Sequence, residues 1–394
     1  MLQIDADHHG SLTNVWHGFQ LRASGLLCLF CMAVHLIHAS PQALVAPKGW
    51  EQFKRFFMES NKEKPDKKFD FGIIGGPYYS NEVNWALGLA LSGLYSTERS
   101  KPELPRSNLS LYGDISVTGH YSISIKGNHF FPSQKYRMNY NLSVVSTPGY
   151  FWGIGYLNGA DMRNKSRYIW KERAVDVEFL VRMASRLYAG TEIHLGYMFG
   201  KELERYDLLN GQDIRNISAG VGLSLLYDTR DVVTSPYQGV LAELKQRFYP
   251  LLCNQYVFYR TEATANCYRR LWKGAVLATD LHLQLNYGNV SWTMMAQLGG
   301  SFRMRGYYLG RYRDRNIAEG HIELRQHIYN RHGMVAWVGA GSVFSDFNHL
   351  FLNRTLPNYG IGYRWEFKKR VNVRFDYGFG RGESGFVFQI GEAF

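Results

Sequence analysis

The chain has 394 residues, among them 27 Tyr, 24 Phe, 9 Trp and 40 Gly, and a formal charge of +12. Its mean hydropathy of −0.28 excludes a helical membrane protein, but suits a large barrel whose strands alternate apolar and polar residues. The charge raises nucleic acid as a partner. The basic residues are spread over strand-like segments, however, and no zinc-finger spacing occurs, so no nucleic-acid partner is expected.

Taken from the N-terminus, LRASGLLCLFCMAVHLIHAS places Arg22 before an apolar run from Leu26 to Ile37, with small residues suited to cleavage after Ala39 or as late as Ala46. Such a run is too short to span a bilayer and fits a secretory signal. The long acidic segment before it, with Asp5, Asp7, His8 and His9, is consistent with a start codon further downstream. Cys28 and Cys31 would leave with the signal; Cys253 and Cys267 remain, and the sequence leaves a disulfide between them open. Next, WEQFKRFFMESNKEKPDKK sets Trp50, Phe53 and Phe57 at helical spacing before a charged run. This reads equally as a short helix at a barrel rim or as a solvated tether.

From residue 68 onward the period is two. AVDVEFLVRM sets Val175, Val177, Phe179, Val181 and Met183 against Asp176, Glu178 and Arg182. VLATDLHLQLNYG sets Leu277, Thr279, Leu281, Leu283, Leu285 and Tyr287 against Asp280, His282, Gln284 and Asn286. GHIELRQHIYN and VNVRFDYG repeat the scheme. Many runs exceed the roughly five or six residues of a globular strand and reach the roughly nine to eleven that a membrane strand needs. Full charges on one face suit a watery lumen. The expected fold is therefore all-β, a transmembrane antiparallel barrel of about sixteen strands. The strand cores are 69–79, 84–95, 108–118, 121–130, 136–156, 168–183, 186–199 and 216–228. They continue as 239–248, 257–271, 276–288, 318–329, 334–344, 359–367, 371–378 and 385–394. Residues 1–39 are expected to be the signal peptide, 40–67 a short periplasmic segment and 68–394 an integral outer-membrane barrel of a diderm bacterium.

Two stretches between the strands stand out. In GGSFRMRGYYLGRYRDRNIAEG, five arginines surround Met304-Arg305-Gly306-Tyr307. In GLSLLYDTRDVVTSPYQG, Asp228, Arg230, Asp231, Pro236 and Gly239 mark a periplasmic hairpin. GFVFQIGEAF places Phe386, Phe388, Ile390 and Phe394 on one face and ends on an aromatic, as a C-terminal assembly signal would; Glu392 interrupts that stripe.

The arginine-glycine-aromatic loop, the hairpin, and the last strands IELRQHIY, YGIGYRWEF and VNVRFDYGFG together resemble the bacterial surface antigen family of BamA/TamA-type outer-membrane assembly and translocation barrels. The resemblance implies that the long extracellular loop folds back into the lumen, with Arg305 held by inward carboxylates. Glu323 and Asp376 are the candidate anchors, with Arg374 beside them, and Gly306 and Tyr307 would allow a close backbone approach and packing against the wall. Arg311, Arg313 and Arg315 are left to face lipopolysaccharide phosphates. Two departures are visible. Gly339 stands where the family often has an aspartate, and the stretch before the first strand is too short for periplasmic client-receiving domains.

Three functional readings follow. The first is a barrel assisting insertion or translocation of outer-membrane proteins or lipids, with lipids, lipopolysaccharide, barrel assembly machinery and client envelope proteins as partners. The second is a passive channel or structural barrel plugged by the Arg305 loop, with Arg182, Arg260, Arg325 and Arg374 in a charged lumen. The third is an enzyme using Asp280 and His282, with His321 and His327 nearby. No serine-nucleophile motif accompanies these groups, so no catalytic residue, cofactor or metal is expected.

Overall fold

The computed structural model describes residues 69–394 except 96, 98–106, 133–134, 251–255 and 369. The expected signal, the 40–67 segment and Cys253 lie outside the described residues. The described chain falls within one compact unit, Ser60–Phe394.

The wall begins with β1 (Phe69–Ser80), β2 (Asn84–Tyr95), β3 (Ser107–Ser116), β4 (Tyr121–Phe130) and β5 (Tyr136–Phe151). A helical turn, α1 (Tyr156–Ala160), leads to β6 (Ser166–Ala184), β7 (Leu187–Lys201), β8 (Arg215–Asp228), β9 (Gly239–Tyr249), β10 (Phe258–Arg270) and β11 (Ala275–Gly288). Two short strands, β12 (Ala296–Leu298) and β13 (Tyr312–Asp314), pair with each other within the long loop. The wall resumes with β14 (Asn316–Tyr329), β15 (His332–Phe344), β16 (Leu356–Lys368), β17 (Val371–Gly380) and β18 (Glu383–Ile390). Sixteen of these strands close into an antiparallel barrel, β1 meeting β18.

Alternation determines the faces. On β11, β14 and β16, Leu281, Ile322 and Ile361 are exposed on the outside, while Asp280, Glu323 and Arg364 are buried inside. An apolar outer face of this extent demands an acyl environment. Short turns such as 185–186 and 330–331 mark the periplasmic end, and the long connections 152–165, 202–214, 289–315 and 345–355 mark the extracellular end.

Two strand boundaries differ from expectation by four residues or more. β5 stops at Phe151 instead of reaching Tyr156, because Gly153 and Gly155 both take φ 94°, outside the β region. β18 stops at Ile390 because Gly391, at φ 100°, turns the chain out of the sheet.

Candidate functional site

The 289–315 loop enters the lumen, and its positive charge is matched there by wall residues. Arg305 is fully buried; its Nη1 donates to Asp376 Oδ2 at 2.7 Å and its Nη2 to Glu323 Oε2 at 2.5 Å. Alternation on β14 and β17 points both carboxylates inward. The guanidinium lies 3.6 Å from the centre of the Trp337 ring, which supplies a π face where no further acceptor is present. Asp376 also accepts from Arg364 at 2.5 Å and from Arg374 at 3.0 Å, and Glu323 from Arg325 at 2.7 Å. Charges buried this deeply persist only when paired and hydrogen-bonded.

The loop backbone is held as closely as its side chains. Gly306 takes φ 110°, and a Cβ there would lie 2.6 Å from Gly378 O, so both the conformation and the approach require glycine. Asn358 Nδ2 donates to Arg305 O at 2.5 Å. Tyr307 is buried; its hydroxyl donates to Pro357 O at 2.7 Å and accepts from Arg381 N–H at 2.6 Å. Met304 N–H donates to His321 Nε2 at 2.8 Å. A Cβ on Gly339 would come within 2.5 Å of that imidazole, so glycine at 339 leaves room for the histidine that holds the loop. Arg374 Nη2 donates to Ser301 O at 2.7 Å, and Arg303 pairs with Asp280 at 2.7 Å.

Arg311 and Arg313 are buried, correcting the expectation that they face lipopolysaccharide. Arg311 donates to Gly159 O and to Glu383. Arg313 donates to Trp292 O at 3.1 Å and sits among the rings of Phe151, Trp170 and Trp292. Aromatic faces can hold a guanidinium where a carboxylate is absent. Arg315 remains exposed. At the loop tip, Tyr308 N–H donates to Glu383 Oε2 at 3.0 Å and Leu309 N–H to Glu82 Oε1 at 2.9 Å. Consecutive amides thereby join β18 to the β1–β2 turn across the closure.

A sixteen-strand wall with an inward loop of this geometry narrows the fold family, and residues 107–394 match the model of the Omp85 superfamily domain. The chain belongs to the Omp85 superfamily. Its structure is similar to that of BamA from Haemophilus ducreyi lacking POTRA domains 1-3, with TM-score 0.57 and 13% identity over 84% of this chain and 71% of that one. It is also similar to CdiB from Acinetobacter baumannii, with TM-score 0.56 and 11% identity over 83% of this chain and 60% of that one. CdiB from Escherichia coli gives TM-score 0.55 and 12% identity over 84% and 64% of the two chains. The chain thus spans under two thirds of either CdiB. No curated protein matches in sequence. The protein is an integral outer-membrane barrel.

At the periplasmic end of this Omp85 barrel, Arg230 pairs with Asp228 at 2.9 Å within the hairpin. Asp231 Oδ1 accepts from Tyr237 N–H at 2.9 Å, and its Oδ2 accepts from Arg370 at 2.8 Å. Arg370 also donates to Ser235 O at 2.6 Å and covers the Tyr237 ring at 3.2 Å, so the hairpin is fastened to the β16–β17 turn. Pro236 is buried. Gly239 takes φ 111°, and a Cβ there would lie 2.4 Å from Thr229 O. Burial alone would raise the pKa of Asp231, but its backbone N–H partners and Arg370 outweigh this and hold the pKa below its ordinary value.

The C-terminal residues divide. Phe386, Phe388 and Ile390 lie on the outer face, Phe388 stacking on Phe375 at 4.5 Å. Phe394 does not join them: beyond Gly391 the tail turns into the lumen, where Arg325 donates to Phe394 O at 3.0 Å and Phe394 packs near Tyr268. Glu392 accepts from Arg364 at 2.9 Å and from Asn372 at 2.5 Å. The interruption of the apolar stripe in the sequence is therefore the start of an inward tail, and Arg364, Glu392 and Trp337 are members of the buried network that sequence reasoning missed.

Asp280 and His282 do not pair. Asp280 is taken by Arg303 and Asn266, with His321 Nδ1 3.5 Å from its Oδ2, and His282 lies 2.9 Å from Glu319. His327 bonds Asn330 O, away from both. Cys267 is free and exposed. Beside the loop, the half of the lumen facing β4–β10 keeps a polar cavity of about 680 Å³, with Trp170, Asp176, Glu178, Lys245 and Arg247 on its walls. Phe151, Tyr168, Leu203, Leu208, Leu209 and Trp292 pack together at its extracellular side.

Proposed function

We propose that this Omp85 barrel assists the insertion or translocation of outer-membrane proteins or lipids, with client envelope proteins, the barrel assembly machinery and lipopolysaccharide as partners. The observation that carries this reading is the closure. β1 meets β18 at one residue pair, Tyr79 with Phe388, whereas β1 and β2 pair over the whole length from Phe69 to Ser80. Sheet stability accumulates pair by pair, so this closure is the weakest line in the wall, and the adjoining edge of β1 can accept an incoming strand.

The test uses cells whose only copy carries Tyr79→Cys and Phe388→Cys. Oxidation should bridge the seam and change outer-membrane protein or lipid composition, and reduction should restore it. Unchanged composition in both the bridged and the depleted cells would sink the reading. A passive channel plugged by the Arg305 loop is the second reading, favoured by the polar cavity beside the loop. Planar-bilayer recordings that stay silent after deletion of 299–315 speak against it.

A further inference from the structure

The outer wall carries cations on three adjacent strands near its extracellular side. Alternation with inward Trp170, Glu172 and Ala174 turns Lys171 and Arg173 of β6 outward. Lys171 lies between Ser146 of β5 and Phe199 of β7, and Phe199 stands opposite Arg215 of β8. One row nearer the midplane, Arg173 lies between Val144 and Tyr197. Directly paired side chains are roughly 5 Å apart, so Lys171, Arg173 and Arg215 form one patch, interleaved with the aromatic pair Tyr197 and Phe199. Near the extracellular ends of β2, β10, β11, β16 and β17, the outward positions instead hold Trp85, Tyr259, Tyr287, Tyr359 and Phe379.

Lys201, on the row above, is paired with Glu202 at 2.7 Å. The side chains of Lys171, Arg173 and Arg215 have no carboxylate partner among the described residues, and the one carboxylate contact of these residues is from the Arg215 backbone N–H to Asp213 Oδ1 at 2.9 Å. An outward arginine facing only acyl chains is strongly unfavourable and becomes tolerable at headgroup depth, which places the patch where anionic headgroups lie. Directly below it, Ile123, Ile125, Leu142, Val144, Leu195 and Ile217 line an apolar depression of about 520 Å³ with Arg173 at its edge. Cations above an apolar groove, on a wall that otherwise faces lipid, match a headgroup phosphate joined to an acyl chain.

We propose that β5–β8 form a binding site for a phosphorylated outer-leaflet lipid of the lipid A class. Its phosphate rests on Lys171, Arg173 and Arg215, and one acyl chain lies in the groove below. The site gives contact residues to the lipid partner in the functional reading above. It is measured without any client, so its failure leaves the assembly role standing.

The experiment is native mass spectrometry of the full-length protein in detergent, titrated with bisphosphorylated lipid A, its dephosphorylated form and inorganic phosphate. Phosphorylated lipid A should be retained and the dephosphorylated form lost. The Lys171→Gln/Arg173→Gln variant should weaken binding about thirtyfold, from the usual contribution of a basic residue at an anionic surface. Arg269→Gln, at the periplasmic end of β10, should bind as the parent does, and heat-modifiable migration should confirm that each barrel is folded. Equal retention of dephosphorylated lipid A by the parent overturns the proposal whether or not the double variant folds. Parent-like binding by the folded double variant, or displacement of the lipid by inorganic phosphate alone, overturns it too.

Discussion

Around Arg305 the lumen gathers four guanidinium groups, those of Arg305, Arg325, Arg364 and Arg374, against the carboxylates of Glu323, Asp376 and Glu392. Their ratio makes the carboxylates the critical members. Asp376 serves three arginines at once, so Asp376→Asn takes a carboxylate from each and leaves buried Arg374 with none, which should cost about 3–5 kcal/mol. Arg305→Ala leaves Glu323 and Asp376 with their other arginines and should cost less, while exposing the 299–315 loop to protease. Urea unfolding of the two folded variants, with limited proteolysis alongside, checks the order. Glu323 and Asp376 were legible because period-two alternation puts them inside, and the motif resemblance points a cation at them. Arg364 carries the same inward parity within YGIGYRWEF, yet parity gives the face and not the partner. Only closure of the wall brings β16, β17 and the tail around one loop residue.

At the scale of elements, the loop tip spans the weakest strand pairing. Glu82 and Glu383 each accept one loop amide from opposite sides of it. Replacing both with alanine removes these two charge-assisted hydrogen bonds, each worth about 1.5–3 kcal/mol when sheltered and less when exposed, together with the Arg311–Glu383 pair. Cysteines at 79 and 388 should then bridge more slowly on oxidation, since the edges separate more often. The periplasmic hairpin responds to acid. Because the folded Asp231 sits below its ordinary value, its contribution is fully present above the unfolded pKa of about 3.9 and fades as pH falls through the lower folded value. Amide-exchange protection of 229–238 should therefore persist at pH 5 and fall only below about pH 4, whereas Asp231→Asn should lack the extra protection throughout. Most wall strands were readable because long runs give many repeats of period two. β12 and β13, of three residues each, are too short to show a period, and the tail after Gly391 was hidden by an aromatic terminus that continued the outer stripe.

For the whole molecule, the lumen is filled on one side by the Arg305 loop and at its extracellular side by the aromatic cluster above the polar cavity. Trp292 is fully buried there, against Phe151 at 5.1 Å and Trp170 at 5.7 Å. Trp292→Ala should cost about 3–5 kcal/mol and raise single-channel conductance in planar bilayers even with the loop in place. Deleting 299–315 alone leaves Trp292 and Leu203, Leu208 and Leu209 in the chain, and should raise conductance less than the deletion combined with Trp292→Ala. The lopsided filling of the lumen also has a mechanical consequence. Ion pairs brace the arc from β11 to β18 against the loop, whereas the arc from β4 to β10 stands around a void of about 680 Å³. The loop therefore stiffens one arc, and β18 at the seam belongs to it, whereas across the seam the loop tip is held through Glu82 of the β1–β2 turn. Should the seam part under load, it would do so like a door hung on one jamb: β18 would hold its place and β1 would swing.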